Sequence, residues 1–280
     1  MKTSIFLGAF FIMAAVTVFS AEPNMFTYKV GSIEVITMVE NRGPGRASVL
    51  VNPTQANLQK YLPSGTYQSE VNTFLVKTPT HTILVDTGFG TTLFDNLQVL
   101  GVSPDQIDAV LITHSHGDHV NGLQKDGKAL FPNAKVYLSS LEKLFWDNTN
   151  GKMILASYGN NVQTFQPNDL GTNSSNLLPG IHAIAAFGHT TGHTMYMISS
   201  EGKQLLIWGD LVHVENIQIA IPEQSVTYDS DPNEAALIRQ KIFEYVSQNN
   251  IPVAGMHLLF PAIGFITNNG EGGYTLTAAK

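Results

Sequence analysis

The chain of 280 residues contains no cysteine, which excludes disulfides, thiolate nucleophiles and thiolate metal sites together. Charge is scarce as well. Asp, Glu, Lys and Arg make up 13% of the residues, against a usual share of ~25%, too little for a long solvated tail or a disordered segment. Basic residues are the scarcer sign, 15 against 22 acidic, and a net charge of -7 offers no basic face to a phosphate backbone, so no nucleic-acid partner is expected. The longest apolar run, Ile5 to Phe19, falls short of the ~20 residues a membrane span needs, so no stable membrane anchor is expected either. Lys2 ahead of that run, with Val18 and Ser20 at the minus-three and minus-one positions of a cut after Ser20, describes a secretory signal peptide over residues 1–20. The cut removes one basic residue and leaves a net charge of -8 on residues 21–280, an exported protein expected in the periplasm or medium.

What is present is an apolar content of 43%, enough for a large core, and no low-complexity segment, repeat or linker. Residues 21–280 therefore read as one mixed α/β domain. Short apolar runs between Gly, Pro and Asn predict strand pairs over Tyr28 to Val39 and over Val71 to Val85. Further strands are expected at Ala109 to Ile112, Val136 to Leu138, Ala183 to Phe187, Met195 to Ile198, Gln204 to Trp208 and Val253 to Gly255. Arg42 to Ser69 reads as a long loop holding one short helix, Gln55 to Tyr61. Thr91 to Leu100 and Pro104 to Ile107 read as helical, and Asn233 to Gln248, opened by Asp231-Pro232, is the clearest helix.

Nine histidines in so acidic a chain are the feature to follow. Three of them, with an aspartate, fall within His114-Ser115-His116-Gly117-Asp118-His119, directly after the strand Ala109 to Ile112. An extended segment puts His114 and His116 on one side, while Asp118 and His119 open the next turn. His189, Asp210 and His257 each follow an apolar strand too, at positions where strand ends on one sheet edge assemble sites. Seven nitrogen and oxygen ligands are too many for one tetrahedral zinc with an open position and suit two metals, zinc first among the divalent ions. A two-metal hydrolase is the expectation.

The sequence His-x-His-x-Asp-His, with Gly-His-Thr-Thr-Gly-His and Trp-Gly-Asp downstream, resembles the metallo-β-lactamase superfamily over roughly Val71 to Phe265. The resemblance implies an αββα sandwich, two mixed sheets flanked by helices. It implies one metal on His114, His116 and His189, a second on Asp118, His119 and His257, and Asp210 between them. Asp86 in Val85-Asp86-Thr87-Gly88 would orient a ligand imidazole, and His193 would lend a supporting hydrogen bond, with His81 and His182 structural. Class B β-lactamases with a cysteine ligand are excluded by composition, and those without one lack the aspartate at the place of Asp210. Oxygen reductases of this fold carry a glutamate where His116 stands, and a glutathione thioesterase would need cations beyond Arg239, Lys241 and Lys280 after Asp210. A non-catalytic exported scaffold would not need to keep all seven ligands.

Two hydrolase branches remain. The chain is similar to N-acyl homoserine lactone lactonases, the quorum-quenching enzymes, and to methyl parathion hydrolase and related organophosphate or aryl ester hydrolases. His213, three residues after Asp210, stands where many lactonases of this fold carry a tyrosine donor and favours the lactonase reading. The implied chemistry is a lactone opened by a hydroxide held between two zinc ions, with Asp118 passing a proton to the leaving oxygen and His213 as oxyanion donor. Phe89, Trp146 and Ile219 are candidates to line a pocket for a neutral acyl substrate. Relatives are often dimers, so a homodimer is a candidate assembly, although no interface can be read from the chain.

Overall fold

The computed structural model describes residues 24–149, 151–172 and 176–280, so the expected signal peptide lies outside the described residues. The first sheet carries β1 (Met25–Val30), β2 (Ile33–Arg46), β3 (Thr66–Lys77), β4 (Thr82–Val85) and β5 (Ala109–Leu111). Past a small hairpin of β6 (Gln124–Lys125) and β7 (Lys128–Ala129), it is completed by β8 (Lys135–Ser139) and β9 (Val162–Phe165). Pairing is antiparallel from β1 to β4 and parallel from β4 through β5 and β8 to β9. The second sheet runs in chain order through β10 (Ile181–Ala185), β11 (Thr194–Ser200), β12 (Lys203–Ile207), β13 (Val253–Ala254), β14 (Ile263–Asn268) and β15 (Tyr274–Ala278). Only its β12 and β13 are parallel neighbours. The α-helices among the described residues are α1 (Gln55–Tyr61), α2 (Leu93–Val99), α3 (Gly117–Val120), α4 (Ser140–Asp147), α5 (Lys152–Ala156), α6 (Glu215–Gln218) and α7 (Pro232–Asn249).

Alternation along the strands decides the layering. Phe74, Val76, Ile83 and Val85 of the first sheet point inward and meet Tyr196, Ile198, Leu205 and Ile207 of the second in one core. Their neighbours Leu75, Leu84, Val110 and Val136 point the other way and are covered by Leu93 and Leu97 of α2, Trp146 of α4 and Leu155 of α5. On the far side, Ile242, Phe243 and Val246 bring α7 onto the second sheet, with Phe243 stacked on Trp208 at 5.6 Å between ring centroids. Asp231 starts this helix by accepting hydrogen bonds from Asn233 N and Glu234 N, with Pro232 in the first turn. Helices, sheet, sheet and helix give the four-layer αββα sandwich.

Arg42 to Ser69 departs from the expected loop. β2 continues to Arg46 and β3 begins at Thr66, paired in register from Arg42 opposite Glu70 to Arg46 opposite Thr66, with a bulge between Val39 and Asn41. This ribbon projects beyond the two-layer core and so has no buried face to impose apolar alternation, while Gly43, Pro44 and Gly45 read as breakers. The short helix inside it, Gln55–Tyr61, falls where expected, capped by Thr54. β9, β14 and β15 were not legible, being short or facing solvent on one side.

The parallel strands β4 and β5 end side by side, so the turn after Val85 and the histidine-rich turn after Leu111 meet on one edge. The turn after β10 is placed by α7: Asp231 N donates to Gly188 O and Ser230 N donates to His189 O. Gly188 has φ of 121°, and a Cβ there would lie 2.3 Å from Ala235 N. Gly188→Ala is therefore expected to destabilise the protein by about 2 kcal/mol or more through strain and overpacking, measured by urea unfolding against the parent.

Candidate metal centre

Each ligand-type side chain leaves the end of a strand, and hydrogen bonds on its far side fix its direction. Asp86, fully buried just past β4 with φ of 57°, accepts from Thr113 N at 2.8 Å, Thr113 Oγ1 at 2.6 Å and His119 Nδ1 at 2.7 Å. Since the Thr113 hydroxyl spends its proton on Asp86, its oxygen accepts from His114 Nδ1 at 3.0 Å. His189 Nδ1 donates to Asp229 Oδ1 at 2.9 Å, and His257 Nδ1 donates to the Glu70 carbonyl at 2.8 Å. Four imidazoles thus have their protons on Nδ1, which turns the Nε2 of His114, His119, His189 and His257 inward as lone pairs.

Those lone pairs converge on each other. His114 Nε2, His116 Nδ1 and His189 Nε2 form a triangle with sides of 3.0, 3.0 and 3.2 Å, and Asp210 Oδ2 lies 3.5 and 3.4 Å from the Nε2 of His114 and His189. One hydrogen at most, on His116, is available to these three nitrogens, so the cluster needs an electrophile at its centre. The spacing matches the ~3.3 Å expected between nitrogens of a tetrahedral zinc with bonds of ~2.0 Å. A second cluster joins His257 Nε2 to Asp118 Oδ2 at 3.4 Å and to Asp210 Oδ2 at 3.2 Å, with His119 Nε2 3.7 Å from Asp118 Oδ2. His119 Nε2 and Asp210 Oδ1, both buried, face each other at 3.1 Å without a hydrogen bond. The donor set fits two ions with Asp210 between them.

The electrostatics point the same way. Burial drives the His189 imidazole down to about 3 and holds His114 well below the usual range, so both stay neutral and available as ligands. For His119 and His257 burial also opposes charge, but the carboxylates outweigh it: Asp210, Asp118 and Asp86 raise His119 well above its usual value, and Asp210 and Asp118 push His257 up to about 10. Asp118 and Asp210 are held far below the ordinary carboxylate range by the same imidazoles, against the cost of burial. Two ionised carboxylates in this pocket call for positive charge: without metal a second proton on His119 and His257 answers it, and divalent ions would take the place of those protons.

All seven residues expected as ligands, together with Asp86, stand in this one centre, among groups whose donor atoms lie within 4.8 Å of one another. His193 is buried at the side, where Nδ1 donates to the Ala186 carbonyl and Nε2 accepts from Asp210 N at 3.0 Å. His213 places Nε2 3.0 Å from Asp210 Oδ2 and stacks on His257 at 4.9 Å, so its ring borders the cleft with one nitrogen turned toward Asp210 rather than into open space. His81 sits at an exposed turn against Thr80, away from the centre.

Over the centre opens a cleft of about 500 Å³ walled by Asn41, Tyr67, Ser69, Val71, Phe89 and Tyr228. Phe89 lines it, as expected. Trp146 and Ile219 do not, which corrects the expectation for both: Trp146 is sealed between α4 and the outer face of the first sheet, and Ile219 belongs to the inter-sheet core. Tyr67 and Tyr228 escaped the sequence reading, the first because it sits on the ribbon taken for loop. Asp229, the partner of His189, escaped it too, lying two residues before the Asp231-Pro232 helix start with no motif of its own. A groove of about 670 Å³ along α7, lined by Phe187, Leu237 and Lys241 among others, holds none of the histidines.

Residues 66–247 match the family model of the metallo-beta-lactamase superfamily. The chain belongs to that superfamily. Among solved structures, hydrolase AbOPH of the beta-lactamase superfamily superposes with a TM-score of 0.84 at 28% identity, over 93% of this chain and 99% of its own. AidC, a dizinc quorum-quenching lactonase, superposes with a TM-score of 0.83 at 23% identity over 92% of this chain and 98% of its own, a likeness of fold. Curated relatives match over short stretches: the anti-Pycsar protein Apyc1 of Paenibacillus sp. (strain J14) is 42% identical over 74 residues, 24% of this chain and 29% of that protein. Ribonuclease Z of Aeropyrum pernix is 49% identical over 43 residues, 15% of this chain and 13% of its own. The chain thus spans under a third of the length of these two curated relatives.

Protein reconstituted with zinc is expected to hold about two ions per chain by elemental analysis, and zero or one would contradict the geometry. Asp210→Ala is expected to hold fewer than two ions and to lose most hydrolytic turnover.

Proposed function

We propose that this protein is an exported zinc-dependent hydrolase that opens the ring of neutral lactones, N-acyl homoserine lactones foremost. The observation that carries the reading is the cleft itself: among the described residues its wall contains no lysine or arginine, and Tyr67, Phe89 and Tyr228 surround the carboxylate and histidine centre. An anionic substrate would find no lysine or arginine to pair with there, whereas an uncharged acyl group finds aromatic surface. The reading is supported by fold neighbours, among them an N-acyl homoserine lactone hydrolase solved with N-hexanoyl-L-homoserine at its catalytic metal centre, at a TM-score of 0.61.

Bound between these ligands, two divalent ions would supply Lewis acidity and lower the pKa of a water toward ~7. The chain's own residues account for the rest. Phe89, 39% exposed at the mouth, and Tyr228, 51% exposed, cover apolar parts of the substrate and limit bulk water. Asp118 borders the cleft with a carboxylate of depressed pKa, so a proton it receives is passed on readily to a leaving alkoxide oxygen. His213 Nε2 lies 3.0 Å from Asp210 Oδ2 at the cleft floor, and once Asp210 is engaged by metal this nitrogen would turn to donate to the oxygen on which negative charge develops.

The alternative within the same centre is an organophosphate or aryl ester hydrolase, since an uncharged triester or ester would suit the same aromatic, lysine- and arginine-free cleft. Kinetics of the zinc-loaded protein on acyl homoserine lactones, aromatic lactones, aryl esters and phosphotriesters decide between them. Lactones are expected to give the highest kcat/KM, and His213→Ala to lower lactone turnover ~100-fold with both ions retained. A phosphotriester, with its better leaving group, should lose less. A parent enzyme faster on triesters, with neither activity affected by the substitution, would replace the lactonase reading.

Export rests on residues 1–20 alone. N-terminal sequencing of protein from the cell envelope or medium is expected to begin at or near Ala21, and an intact Met1 in the cytoplasm would overturn it.

A further inference from the structure

His116 differs from the other four imidazoles of the centre. Among the described residues no group holds its second ring nitrogen, so its position depends on the backbone that carries it. That backbone is tied down one residue earlier. Glu142, in the first turn of α4, has no solvent exposure and makes no ion pair with lysine or arginine among the described residues. Its Oε1 accepts from Ser115 N at 2.8 Å and Ser115 Oγ at 2.5 Å. Its Oε2 accepts from Thr190 Oγ1 at 2.6 Å and Gly192 N at 3.2 Å. One oxygen thus holds the residue between His114 and His116, and the other holds the turn that follows His189.

An anionic side chain buried without a cation is costly unless each oxygen is fully hydrogen-bonded, as these are. The packing around it is equally specific. Ser139, the cap of α4, accepts from Glu142 N and donates to the Gly192 carbonyl, and a Cβ on Gly192 would lie 2.2 Å from Glu142 N. The start of α4 and the two ligand-bearing turns are therefore joined at one point. The second cluster is held by other groups, Asp86 behind His119 and the Glu70 carbonyl behind His257, none of which touches Glu142.

We propose that Glu142 is the positioning residue of the His114, His116 and His189 site, a carboxylate clasp that fixes the separation of the two turns and so sets the affinity of that ion position without touching the other. It acts on where the backbone stands, not on which nitrogen of an imidazole carries a proton. The inference rests on the two-ion reading of the centre, which the stoichiometry of the parent protein tests separately. In Glu142→Gln one acceptor becomes an amide NH2, which cannot accept from Ser115, Thr190 or Gly192.

Zinc-loaded parent and Glu142→Gln proteins are titrated with dipicolinate, and the ions retained after desalting are counted. The variant is expected to release its first ion at a chelator concentration about tenfold or more below the parent, and its second ion where the parent does. Anomalous diffraction from the one-ion variant should place the remaining zinc on Asp118, His119 and His257. If Glu142→Gln does not fold, Ser115→Ala with Thr190→Val, which removes the two hydroxyl donors and keeps the carboxylate, is read in the same way. Release of both ions as in the parent, or equal weakening of both, would overturn the proposal, provided the parent itself holds two.

Discussion

The negative charge of the buried Asp210 carboxylate, which must be met by positive charge from protonated imidazoles or metal ions, is the constraint on which the rest of the structure depends. Its two oxygens lie within 3.0 to 3.5 Å of nitrogens from His114, His119, His189, His213 and His257. A ring of outward hydrogen bonds to Asp86, Thr113, Asp229 and the Glu70 carbonyl orients His119, His114, His189 and His257 before any ion arrives. The fold is the device that brings these outer acceptors to one edge, since β4, β5, β10, β12 and β13 all end there.

Rigidity behind the centre comes from packing and from buried charge. Arg239 of α7, fully buried, donates to the carbonyls of Leu211, Pro222 and Gln224, and burial lowers it to about 10 despite Asp229 nearby. The loop that carries His213 and Tyr228 is therefore anchored from within rather than left to solvent. Gln218 adds to this by accepting from His213 N and Val214 N. With no cysteine in the chain, these polar ties and the two-sheet core do the work that a disulfide does in many proteins.

What the sequence made legible was what is contiguous. His114 to His119 lie within six residues after a buried strand, so their pattern survives without any tertiary information, and His189, Asp210 and His257 share the same strand-then-turn context. Glu142 and Asp229 act on the same centre from positions whose only local signal is a carboxylate near a helix start, a signal common to many solvated residues. Trp146 and Ile219 were misplaced for a different reason: the sequence around an aromatic or branched residue does not reveal whether its side chain faces the core or the cleft. The ribbon of β2 and β3 was hidden because its strands pair with each other, outside the core that would have imposed a pattern.

That ribbon separates two jobs. The ligands and most of their outer acceptors are embedded in sheets and helices that share one core, only the Glu70 carbonyl coming from the root of the ribbon, whereas Asn41, Tyr67 and Ser69 reach the cleft from paired strands whose register is set by backbone hydrogen bonds. Side chains on the ribbon can be exchanged, or the turn between its strands lengthened, at little cost to the inter-sheet packing. One wall of the cleft can thus change its side chains while the metal ligands opposite it keep their packing.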